Sequence, residues 1–123
     1  MFPPFILAKL YVKGTLKNTG TGFEFSLKNI IDSTMLSGIG PIVVGDKSYE
    51  GAAIKMALGD QEWQGDQVNK TNLVPVKMGV PLRVMISGEQ LPTGDVKVSV
   101  TATTSDIGKI KFDVKDKISQ PSS

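Results

Sequence analysis

Three stretches of this chain alternate apolar and polar residues with a period of two, and no stretch of a dozen residues keeps a helical period. Phe23, Phe25 and Leu27 point one way with Glu24, Ser26 and Lys28 opposite. Val96, Val98 and Val100 alternate with Lys97, Ser99 and Thr101, and Ile110, Phe112 and Val114 with Lys109, Lys111, Asp113 and Lys115. Successive side chains of a strand face opposite ways, so each pattern is a strand with one face in a core and the other in water. Weaker strand signals run over residues 9–12, 39–44, 53–58, 74–78 and 82–87. The breaks at 18–22, 45–47, 58–60, 78–81 and 91–95 carry Gly, Pro, Asn and Asp, the residues of tight turns. Eight or more short strands in a chain of 123 residues pack most economically as an all-β fold, a two-sheet antiparallel sandwich of the immunoglobulin-like kind.

At this length the chain forms one domain, expected over residues 1–118, with 119–123 a polar, proline-containing tail. The apolar run Phe2, Phe5, Ile6 and Leu7 reads either as a first strand docked on the core or as a partner surface. Residues 30–37 have room for one helical turn. The segment 1–8 has two prolines, no preceding basic residue and no small-residue cleavage site, and it is too short to cross a bilayer. The expectation is therefore a cytoplasmic protein with no membrane contact.

The chain has no histidine and no cysteine. Those side chains supply most general bases near neutral pH, most thiolate nucleophiles and most transition-metal ligands, so the commonest routes to catalysis in a small protein are missing. The net charge is +2, Arg83 is the lone arginine, and the lysines are spread among apolar residues, which is not the clustered basic and aromatic surface of a nucleic-acid binder.

Three constellations stand out. Gly14, Gly20 and Gly22 near Lys13 and Lys17 fit neither a phosphate loop nor a dinucleotide fingerprint and read as a hairpin turn. Asp60, Glu62 and Asp66 are the densest carboxylates. They have no calcium-loop register and no positioned pair for hydrolysis, so they read as solvated loop acids. Trp63, the only tryptophan, stands among polar residues outside any alternating strand. It is either a lid on one end of the sandwich or an exposed anchor for a sugar ring or a protein pocket.

Read in order, Leu16-Lys17-Asn18, Gly22-Phe23-Glu24-Phe25-Ser26-Leu27, Leu36-Ser37-Gly38-Ile39, Ile42 to Tyr49 and Gly88 to Val100 resemble the small β subunit of bacterial C-glycoside deglycosidases. Other segments, Lys9 to Gly14 and Gly108 to Val114, resemble short archaeal β-proteins. The deglycosidase resemblance implies a β-sandwich subunit that supports a TIM-barrel α subunit. That partner would hold a divalent metal, usually manganese, and cleave the carbon–carbon bond between a 3-oxo sugar and a flavonoid aglycone, a lyase reaction. It supplies no catalytic, cofactor or metal residue for this chain. The expected partner interface is Trp63 with Tyr49. The competing reading is a free-standing carbohydrate- or protein-binding module that uses the same two rings as a stacking surface.

Overall fold

The computed structural model describes residues 4–30 and 33–118. A short helix α1 (Pro4–Leu7) runs into a 3-10 turn (Ala8–Leu10). Ten strands follow: β1 (Lys17–Thr19), β2 (Gly22–Lys28), β3 (Thr34–Val44), β4 (Lys47–Tyr49), β5 (Ile54–Leu58), β6 (Gln61–Gln64), β7 (Val74–Val76), β8 (Pro81–Ser87), β9 (Gly94–Thr104) and β10 (Gly108–Ile118). Two further 3-10 turns, Gly51–Ala53 and Gly65–Gln67, flank β5 and β6.

One sheet has the order β1-β2-β8-β5-β6, and the other has the order β10-β9-β3-β4 with β7 on the first residues of β3. Every strand pairing is antiparallel. Labelled as in an immunoglobulin domain, the first sheet is A-B-E-D and the second G-F-C-C′, with β6 and β7 as additions. The two sheets share one core. Phe23 and Phe25 of β2 stand opposite Ile86 and Val84 of β8, and Ile54 and Met56 of β5 extend the same layer. Ile42, Val98, Val100 and Phe112 close on it from the second sheet, all buried. Each such side chain contributes roughly 1.5–3 kcal/mol when fully removed from water.

The alternating segments are strands, as their period requires, but Ser99 and Thr101, expected in water, are buried on β9, which lies between β10 and β3. Three further local expectations change. The apolar N-terminal run is helical where it is described, because Pro4 suits a helix start, where its missing N–H is not needed. Phe2 lies outside the described residues. The strand expected over 9–12 is a 3-10 turn followed by a single bridge from Tyr11 to Leu27. Residues 31–32 and the tail 119–123 are outside the description, and from Thr34 onward the chain is strand β3 where a helical turn was expected. β3 slips register against β9 between Leu36 and Gly38 and again between Ile39 and Ile42, bulges that bend it around the core.

Candidate functional site

One end of the sandwich gathers the last residues of β2 and β7, the first of β3 and β8, and the β9–β10 hairpin. The pairings Lys28 with Pro81, Thr34 with Val76 and Gly108 with Thr104 set this arrangement. Between the sheets at this end lies a cavity of about 250 Å³. Leu27 and Leu82 wall it from the first sheet, Ala102 and Ile110 from the second, and Leu7 and Leu10 of the N-terminal segment close its side. Leu27 and Ile110, expected in the core, are only half-buried because they face this space.

The N-terminal wall is held by one carboxylate. Asp116 of β10 accepts from the Tyr11 hydroxyl at 2.8 Å, from the Gly14 amide at 3.1 Å and from the Leu16 amide at 3.3 Å. Tyr11 also stacks on Phe25, with ring centroids 5.2 Å apart. Burial raises the Tyr11 pKa well above the ordinary tyrosine value, and the hydrogen bond to Asp116 and its negative charge raise it further. The hydroxyl therefore stays protonated and donating throughout the neutral range. Its task here is to fasten the wall.

Polar groups collect at the mouth and are spent on one another. The Thr34 hydroxyl donates to Asp106. The Thr104 hydroxyl donates to the Gly108 carbonyl and accepts from the Ile107 amide, both at 3.0 Å. The Asn29 amide reaches the Val76 carbonyl at 3.2 Å. Asp106 is the only ionisable side chain among the described residues of the lining, so no described acid and base face each other across the cavity.

Outside the mouth is an apolar rim. Ile30, Met35, Met78, Val80 and Ile107 are the large hydrophobic residues left exposed among the described residues, and all five lie on the loops and strand ends of this end. Single exposed hydrophobics are ordinary, whereas a cluster marks a binding surface. The sequence carried a signal for it. Met78 and Val80 sit in the Gly-Pro turn before β8, and Ile107 stands at the tip of the β9–β10 hairpin, positions where turn chemistry needs no large apolar side chain.

Trp63 and Tyr49 lie elsewhere. Trp63 is on strand β6, opposite Met56, and not in a loop. It is half-buried and packed against the core, because pairing with β5 turns its ring over the edge of the sheet. Tyr49, at the end of β4, is also half-buried. Its ring meets Phe23 edge-on at 5.4 Å and lies over Gly88. Both residues belong to edge strands, and no contact brings the two rings together into one stacking platform. Of the acidic trio, Glu62 is 3.8 Å from Lys55 across β5–β6, and no three carboxylates cluster as a metal site among the described residues. Gly20 sits in the β1–β2 hairpin, as the spacing suggested.

The fold and this site define a class: a small immunoglobulin-like sandwich with an apolar end cavity whose described lining pairs no acid with a base. Residues 6–119 match the family described as hydroxymethylglutaryl-CoA reductase, N-terminal domain, and the chain belongs to that family. No curated protein matches the sequence. The family match overturns the resemblance to the C-glycoside deglycosidase β subunit, and with it the lyase activity on flavonoid glycosides. The reading as a free-standing carbohydrate- or protein-binding module is not supported either. The segments that carried the resemblance are hairpin turns and half-buried strands, which any antiparallel sandwich of this size requires. The manganese-bearing TIM-barrel partner was implied by that resemblance alone.

Reducing a CoA thioester needs a hydride donor and a proton source. The residues around this cavity do not fit a dinucleotide. The strands are antiparallel, no strand–helix crossover among the described residues offers a glycine-rich helix start, and the walls are hydrocarbon. No helix among the described residues is long and apolar enough to cross a membrane.

Proposed function

We propose that this chain is a non-catalytic domain of the hydroxymethylglutaryl-CoA reductase system that docks on the catalytic part through the apolar rim of its cavity end. The observation that carries the reading is the gathering of Ile30, Met35, Met78, Val80 and Ile107 at one end of a domain that belongs to the reductase N-terminal family. Hydride transfer is assigned to the partner, since the described lining of the cavity pairs no acid with a base and its walls do not suit a dinucleotide.

Trp63 and Tyr49 have a supporting place in this reading. Both rings spend much of their area on the core, so their replacement acts first on the domain's stability. Stable association would bury at least about 1,000 Å² in total, and an apolar cluster that includes Met35 and Met78 has the composition of the centre of such a patch.

The test is co-migration of the full chain with the reductase catalytic polypeptide of the same organism in size-exclusion chromatography. The parent chain is expected to co-migrate, and Met78→Glu with Ile30→Glu to abolish co-migration while the domain's melting temperature holds, since both side chains are more than half exposed. Undiminished association of that double variant, or its loss on Trp63→Ala alone with the fold intact, would overturn the assignment.

A further inference from the structure

We propose that the end cavity binds a small uncharged molecule that is mostly hydrocarbon, a single ring with a short chain in scale, enclosed between the two sheets. This goes beyond the docking described above, because the described lining of the site comes from this chain alone.

Size sets the ligand's scale. The cavity, at about 250 Å³, exceeds the roughly 150 Å³ apolar void that accepts benzene and falls just below the roughly 300 Å³ at which drug-sized sites begin. Leu27 and Ile110 occupy inward positions on β2 and β10, yet both are half-buried because they face this space. Atoms that line an empty apolar space have no partner on one side and forfeit dispersion contacts, which an apolar guest restores.

The lining sets the ligand's polarity. Inside are Leu27, Leu36, Leu82, Val100, Ala102 and Phe112. The polar side chains among them are spent on the protein itself: Thr34 on Asp106, Thr104 on the Gly108 carbonyl and the Ile107 amide, and Asn29 on the Val76 carbonyl. No buried side-chain nitrogen or oxygen among the described residues is left without a partner. A sugar or peptide would therefore surrender its water without replacement, whereas a hydrocarbon gains by leaving water.

Charge is disfavoured at either sign. Asp106 is the one charged side chain of the described lining, and it is exposed at the mouth with the Thr34 hydroxyl already on it. It repels an anion, and an exposed pair with a cation adds little. A charged end must either lose its water inside or hold part of the hydrocarbon outside.

The experiment is methyl NMR titration of the full chain, without reductase, using butylbenzene, 4-phenylbutanoate, 4-phenylbutylammonium and glucose. Saturable one-to-one shifts are expected at Leu27, Ala102 and Ile110 with butylbenzene. The two charged analogues should bind about tenfold more weakly or worse, and glucose should give no saturable shift. Ala102→Leu, which fills the space from β9, should weaken butylbenzene by about tenfold or more, with the smaller toluene losing less. Leu10→Phe narrows the same space from the half-buried N-terminal wall and keeps the test open if Ala102→Leu does not fold. Failure of butylbenzene to saturate, or shifts centred on Trp63 and Tyr49 or on the exposed Ile30 and Met78, would overturn the proposal. So would a charged analogue or glucose that binds as tightly as butylbenzene, or undiminished binding in a folded filling variant. Because the assay contains no reductase, such a result leaves the docking reading to its own test.

Discussion

Gly22 stands where β2 leaves the first hairpin, and a Cβ there would lie 2.0 Å from the Ile86 carbonyl oxygen. No side-chain movement relieves a clash with backbone, so Gly22→Ala must shift β2 against β8. The expected cost is about 1–3 kcal/mol, as for an overpacked core. A Cβ on Gly20, two residues earlier, would meet nothing within 4 Å, and Gly20→Ala should stay within about 0.5 kcal/mol of the parent. Chemical denaturation of the two variants checks this, and equal effects would contradict it. Tyr11 gives a pH test. Its folded pKa is raised, so above about pH 10 the unfolded chain loses the tyrosine proton while the folded chain keeps it. The fastening is therefore fully present below that pH, and stability should fall by about 1.4 kcal/mol per pH unit above it. Tyr11→Phe should remove that share of the alkaline slope, and parallel curves for parent and variant would contradict the assignment.

Among the elements, β2, β9 and β10 were legible because their alternation is long, although on the central strand β9 the polar positions Ser99 and Thr101 are buried as well. Phe25, buried between Tyr11 and the second sheet, shows what that pattern is worth. Phe25→Ala should cost about 3–5 kcal/mol, measured by thermal or denaturant unfolding, and a melting point near the parent's would place the inward face wrongly. The N-terminal segment was not legible as a helix. Four helical residues carry no periodicity; they pack against β10, about a hundred residues away in sequence, whose Asp116 also holds Tyr11, Gly14 and Leu16 just beyond the helix. β6 was hidden for a related reason. Gln61-Glu62-Trp63-Gln64 has one apolar residue, and only pairing with β5 makes it a strand. The cavity was invisible from the sequence, since Leu27 and Ile110 read as ordinary inward positions, and only the bend of the sheets leaves space beside them.

On the scale of the whole molecule, the domain is polarised. At one end the core opens into a cavity with exposed hydrophobics around it, and no large apolar side chain among the described residues is fully exposed elsewhere. Membership in the reductase N-terminal family supports the reading of that end as a docking face for the catalytic part. The most direct test is amide hydrogen exchange on the full chain with and without the reductase catalytic polypeptide. Slower exchange is expected in the loops and strand ends around Ile30, Met35, Met78 to Val80 and Ile107, with β4 and β6 unchanged. Protection confined to Tyr49 and Trp63, or no protection at any concentration that saturates the reductase, would contradict the account.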